Sequence, residues 1–170
     1  MGLFFTCQAA PDDGTPSSSQ PAERVLGHAR HKAEVVRQAL TEPAWILAAD
    51  TLVCRAGKFL AKPADRAEAE SMLRDLSGKQ HEVWTGTVLL KPDGTRHDRA
   101  DRAVVQFEPL PEADLREYLA GAEWRDKAGA YGIQGWAGRH ARLMEGDLGT
   151  VIGLSEEAVK ALLAQAAGRR

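Results

Sequence analysis

Apolar positions recur at a helical interval after a polar, proline-rich opening. Val25, Ala29, Ala33, Val36 and Leu40 share one face. Pro21 suits the first turn of a helix that starts near Ser19 or Gln20. The preceding "PDDGTPSSSQP" is loop by composition. "WILAADTLV", Trp45 to Val53, is an apolar run that predicts a buried strand, interrupted by Asp50 and Thr51. "GKFLAK" reads as a second short strand. In "ADRAEAESMLRDLSG" the apolar spacing returns to helix, with Ala69, Met72, Leu73 and Leu76 inward, Asp65 and Glu68 as a capping box and Gly78 as the stop.

"HEVWTGTVLL" and "RAVVQFEPL" predict two further strands, with the turn sequence "KPDG" at the start of their connection. "PEADLREYLAG" predicts a helix with Leu115, Tyr118 and Leu119 inside and Gly121 closing it. "DKAGAYGIQGWAG" places Gly129, Gly132, Gly135 and Gly138 at every third position and is not regular structure throughout. "HARLMEG" reads as a strand, and "SEEAVKALLAQAAG" as a last helix capped by Ser155. This order predicts one α/β domain over residues 1–170, a mixed twisted sheet flanked by helices.

Composition changes this picture little. The chain has 170 residues, 44% hydrophobic and 27% charged, as in an ordinary soluble globular domain. A net charge of −2 gives no general attraction to nucleic acid or membrane, so neither is an expected partner. No apolar run approaches the roughly 20 residues of a membrane span, and "MGLFF" lacks the length and basic flank of a signal peptide. Cys7 and Cys54, both in apolar context, are too few for a disulfide framework or a structural zinc site. Reduced thiols of this kind indicate a cytoplasmic protein.

Several residues have the chemistry of a site. Asp50 is an acid inside an apolar run, as expected at the carboxyl end of a strand in an open α/β sheet. It either serves chemistry there or caps the next turn through backbone amides. Thr51 is a ligand or simply a strand residue. Lys32, Lys62 and Lys127 are anion ligands or solvated surface charges, and Pro63 gives Lys62 a stiffened backbone. Asp12 and Asp13 are adjacent acids in a turn-rich loop. The glycine segment lets backbone approach a ligand, and Gln134 within it offers an acceptor and two donors to a base edge. Its spacing is neither the P-loop nor the dinucleotide fingerprint. The histidines, His28, His31, His81, His97 and His140, show no metal-motif spacing.

Together "ARHKA", "AADTLV", "GKFLAKPADRAEAESMLRDLSGKQHEVWTGTVL", "DKAGAYGIQG" and "EGDLGTVIGL" resemble the Maf family of nucleotide pyrophosphatases, in family order from Ala29 to Leu154. The resemblance implies a Maf/ITPase-like fold and hydrolysis of nucleoside triphosphates to the monophosphate and pyrophosphate. "ADT" with "IQG" is similar to the branch acting on dTTP and UTP, with modified nucleotides as further substrates. It implies Asp50, Lys32 and Lys62 as catalytic residues, with Thr51 and Gln134 selecting the substrate. Lys127 is counted among the substrate-binding positions. Asp50 and Asp13 are the implied metal ligands, the metal being magnesium with manganese as the alternative. A homodimer is also implied.

One departure bears on phosphate binding. The family's opening strand and "SxSPRR" segment have no counterpart, and "MGLFFTC" corresponds to the stretch just after the first helix. The expectation is a domain N-terminally truncated relative to the family, its first strand and helix missing. Met1 is then internal to a longer protein, or the chain is a truncated paralogue. The alternative function is accordingly a catalytically impaired nucleotide-binding or interaction protein, and weak activity is expected of residues 1–170 alone. Smaller departures are Trp124 where a proline is usual and "GLSEEA" where "GLP" is usual.

Overall fold

The computed structural model describes residues 5–8 and 18–168. Helix α1 (Pro21–Ala39) opens with Pro21 in its first turn, as the sequence predicts. Strand β1 (Ile46–Arg55) and the short β2 (Lys58–Leu60) form a hairpin through left-handed Ala56 and Gly57. Helix α2 (Arg66–Leu76) follows, then the long strands β3 (Gln80–Leu90) and β4 (Arg96–Phe107). Helix α3 (Glu112–Ala120) leads into two single 3-10 turns, Ala128–Ala130 and Trp136–Arg139. Strand β5 (Ala141–Glu145), the short α4 (Leu148–Ile152) and α5 (Glu156–Ala166) complete the described chain. The strand order is β2-β1-β3-β4-β5. The α/β class with flanking helices holds, but the sheet is not mixed as expected: every pairing among the described residues is antiparallel, with β1–β2 and β3–β4 joined as hairpins.

Strand alternation sorts the core into two layers. Ile46 and Ala48 of β1, with Val88 and Leu90 of β3, pack under Ala29, Ala33 and Val36 of α1. On the opposite face Val53, Val83, Val105 and Phe107 meet the inner residues of α2 and α3. Those inner residues, Ala69, Met72, Leu73 and Leu76, and Leu115, Tyr118 and Leu119, are the ones the periodicity predicts. Asp65 caps α2 by accepting the Glu68 amide at 2.8 Å. The reciprocal bond runs from the Ala64 amide to Glu68, one residue earlier than a standard capping box places it. Ser155 caps α5 through the Ala158 amide.

Three expectations are corrected. Trp45 and Leu47 are 52% and 41% exposed, so the run from Trp45 is buried on one face only. Leu40 lies just past the helix end and is exposed, because α1 stops at Ala39. Cys7 is exposed, and only Cys54 is buried. Trp124, unusual for the family, belongs to the core and donates its indole N–H to the Gly121 carbonyl at 2.9 Å.

One contact seats α1. A Cβ on Gly86 of β3 would lie 2.6 Å from the Val25 carbonyl carbon and 2.7 Å from its oxygen. The helix backbone therefore rests on the strand backbone, which only glycine permits there. Gly86→Ala is expected to cost about 1–3 kcal/mol by overpacking and to lower the melting midpoint by about 2–10 °C. Thermal denaturation followed by circular dichroism checks this, and an unchanged midpoint would mean that α1 does not depend on this contact.

Candidate active site

Gly86 is also the register partner of Asp50. The seating of α1 thus decides what faces that carboxylate. Arg24, His28 and Lys32 lie one helical turn apart along the same side of α1. Together with Asp50 they line a cleft of about 430 Å³. Lys32 Nζ donates to Asp50 Oδ1 at 2.5 Å, with the side chains 24% and 11% exposed. The ammonium offsets the cost of holding a carboxylate largely out of water. The bond engages one carboxylate oxygen and leaves the second for a substrate, water or cation.

Asp50 stands in the middle of β1, not at its carboxyl end as the sequence suggests. The strand runs past Asp50 because β3 pairs with it as far as Cys54, while β2 on the other side pairs only with Val53, Cys54 and Arg55. Among the described residues the β1 edge from Ile46 to Leu52 has no other strand on that side. The cleft wraps this bare edge and is lined by Ala49 through Val53 in succession. Asp50 therefore enters it from the α1 face and Thr51 from the opposite face.

Thr51 is held by a directional chain. Thr85 donates its hydroxyl to the Thr150 carbonyl at 2.7 Å. Its oxygen lies 2.8 Å from the Thr51 hydroxyl. With the Thr85 proton committed, Thr51 is the donor of that bond, and its oxygen is left with acceptor capacity.

The glycine segment forms another wall. Tyr131, Gly132, Ile133, Gln134 and Gly135 line the cleft, as do Glu123, Asp126 and Lys127 before them. Glu123 Oε1 accepts the Trp136 amide at 3.2 Å and fixes the loop. A Cβ on Gly135 would fall 1.9 Å from that oxygen, and one on Gly132 would fall 2.8 Å from Lys127 Cε. The glycines make room for these two charged side chains. The loop is also tied back by the Gly129 amide, which donates to the Ala61 carbonyl at 3.2 Å beside Lys62. Lys62 lines the same cleft.

The structure thus brings Lys32, Asp50, Thr51, Lys62, Lys127 and Gln134 to one cleft. Asp13 and Asp12 lie outside the described residues. Among the described residues no three histidine, cysteine or acidic side chains group as a metal cage. Asp50 would suit an ion held mainly by phosphates and water, as magnesium commonly is. Arg24, Glu123 and Asp126 are cleft residues that the sequence reading missed. Arg24 could have been found eight positions before Lys32 on the same helical face. Glu123 gives no local signal, because its partner is a backbone amide in a loop that returns only after the chain has turned. No helix among the described residues is long and apolar enough to cross a membrane.

His81 supports the site from beneath. It is buried, shares a 2.6 Å hydrogen bond with the Tyr131 hydroxyl and stacks on Phe107. Burial pushes its pKa down to about 4. Burial also raises that of the Tyr131 phenol, which stays protonated.

The model of the family described as Maf-like protein matches residues 1–166. A "dTTP/UTP pyrophosphatase" of Myxococcus xanthus is 42% identical over 170 residues, covering 98% of this chain and 84% of that protein. One of Pyrococcus abyssi, with the same name, is 38% identical over 165 residues, covering 96% and 87%. One of Rhizobium meliloti is 41% identical over 148 residues, covering 84% and 72%.

The His81 shift has a pH consequence. Between about pH 6.5 and 4 the unfolded chain binds a proton at this position that the native chain refuses. Stability therefore falls as pH drops through that window, by about 3 kcal/mol from this group. Urea unfolding at stepped pH should show a shallower fall in His81→Gln than in the parent, and parallel curves would mean that His81 is not held neutral.

Proposed function

The chain belongs to the Maf-like protein family, and we propose that it is a nucleoside triphosphate pyrophosphatase, acting on dTTP, UTP and modified nucleotides of that class. The observation that carries this is the Lys32–Asp50 pair at 2.5 Å on the wall of a cleft that also holds Lys62, Lys127 and Gln134. The names of the three relatives point to the same substrates.

In this reading a water oxygen attacks the α-phosphorus, the bond to the α–β bridging oxygen breaks, and monophosphate and pyrophosphate result. Asp50 takes the water's proton on the carboxylate oxygen that Lys32 does not hold. Lys32 keeps that carboxylate in place and, with Lys62, offsets charge gathering on the phosphates. In the alternative role for Asp50, it and Asp13 are the residues that would hold a divalent ion, magnesium or else manganese. When bound, such an ion supplies charge neutralisation on the triphosphate. The protein is cytoplasmic and homodimeric in this reading, which rests on family membership and on its two reduced cysteines.

Base selection rests on Thr51 and Gln134, and Lys127 is a further substrate-binding residue. Since Thr51 donates to Thr85, it meets a ligand as an acceptor. Uracil and thymine carry an N3–H that matches an acceptor, and cytosine at that atom does not. Gln134 adds an amide with both donor and acceptor groups.

The assay is product chromatography from UTP or dTTP with magnesium. UMP or TMP with pyrophosphate is expected, and a diphosphate with orthophosphate would overturn the assignment. Asp50→Asn should lower kcat about 10²–10⁴-fold, so a variant within a few-fold of the parent would make Asp50 structural. Thr51→Val should reduce the preference for UTP over CTP about tenfold while leaving the melting midpoint nearly unchanged. Equal losses on both substrates would remove Thr51 from base reading.

A further inference from the structure

The geometry points to Arg24 as the ligand of the departing pyrophosphate, a role that rests on the pyrophosphatase reading above. Arg24 stands two helical turns before Lys32 on the same side of α1 and lines the same cleft. Its guanidinium lies over the Phe59 ring at 4.7 Å, a contact that orients the planar group without neutralising its charge. Nε is buried without a hydrogen-bond partner, and among the described residues no carboxylate pairs with the side chain. Arg30 and Arg55, by contrast, are taken up by Asp98 and Asp75.

Three acids line the cleft, Asp50, Glu123 and Asp126, none of them in an ion pair or hydrogen bond with Arg24, and two are engaged elsewhere. Asp50 is held by Lys32, and Glu123 accepts the Trp136 amide. An oriented guanidinium with no carboxylate to answer it in a cleft is suited to a phosphate, which it can grip through two parallel N–H bonds. Position decides which phosphate. Two turns of helix separate the Cα atoms of Arg24 and Lys32 by about 12 Å. Lys32 is committed at the reacting carboxylate, so Arg24 serves the far end of the polyphosphate. That end leaves as pyrophosphate.

The test is titration calorimetry with magnesium pyrophosphate and, separately, with UMP, on the chain of residues 1–170 and on Arg24→Gln, Arg24→Lys and Phe59→Leu. Arg24→Gln should weaken pyrophosphate about ten- to a hundredfold and UMP less than about threefold. Arg24→Lys should recover part of the loss, because charge returns without the fork. Phe59→Leu should fall between, since it keeps the charge and removes the ring that orients it. Melting curves establish that the variants are folded. The proposal is overturned if the parent binds no pyrophosphate, if Arg24→Gln binds it within about threefold of the parent, or if both ligands weaken equally. Failure of the pyrophosphatase reading would look different. UTP would then yield other products, or none, while pyrophosphate binding still depended on Arg24.

Discussion

The site hangs on a backbone-to-backbone contact between Val25 of α1 and Gly86 of β3. Because Gly86 pairs with Asp50, the distance from helix to sheet is set at the point where the Asp50 carboxylate stands. A larger residue at Gly86 would lift α1, and with it the side chains that point into the cleft. The apolar packing of Ala29 and Ala33 on Ile46, Val88 and Leu90 holds the other end of the helix down. Small residues along α1 therefore have a functional meaning. They bring a line of basic groups close enough to a strand for an ammonium to reach a carboxylate.

The cleft is built from charges that structure has sorted rather than neutralised. Asp50 is matched by Lys32, and Glu123 is absorbed by a backbone amide. Four basic side chains, Arg24, Lys32, Lys62 and Lys127, stand against three acids, Asp50, Glu123 and Asp126, so the local balance is slightly positive in a chain whose overall charge is −2. That separation of local from global charge lets a protein with no general affinity for polyanions hold one small, highly charged ligand.

Much of this was legible in the sequence where the signal is local. The inner faces of α2 and α3, the Asp65 and Ser155 caps and the glycine-rich loop all follow from spacing and from side-chain reach. Asp50 and Thr51 stood out because polar groups interrupt an apolar run. The position of Asp50 mid-strand was not legible. It depends on β3 pairing with β1 through Cys54, and cross-strand register over that range has no signature in β1 itself. Glu123 was invisible for a similar reason, since the loop it fixes closes on it from farther along the chain. Arg24 is legible only through Lys32, since helical spacing sets the two on the same side of α1 and nothing local to Arg24 marks it.

The Thr51 hydroxyl and the Asp50 carboxylate are neighbours in sequence yet leave opposite faces of one strand. Their side-chain partners differ, one leaning on Thr85 and α4 and the other on α1, although both rest on adjacent residues of β3. On the proposed roles, base reading and reactivity sit on opposite sides of a single peptide plane. A lineage could then retune which nucleotide it accepts through residues under α4 while leaving the α1 side of the strand in place. A fold arranged in this way can diversify its substrates by small steps without passing through inactive intermediates.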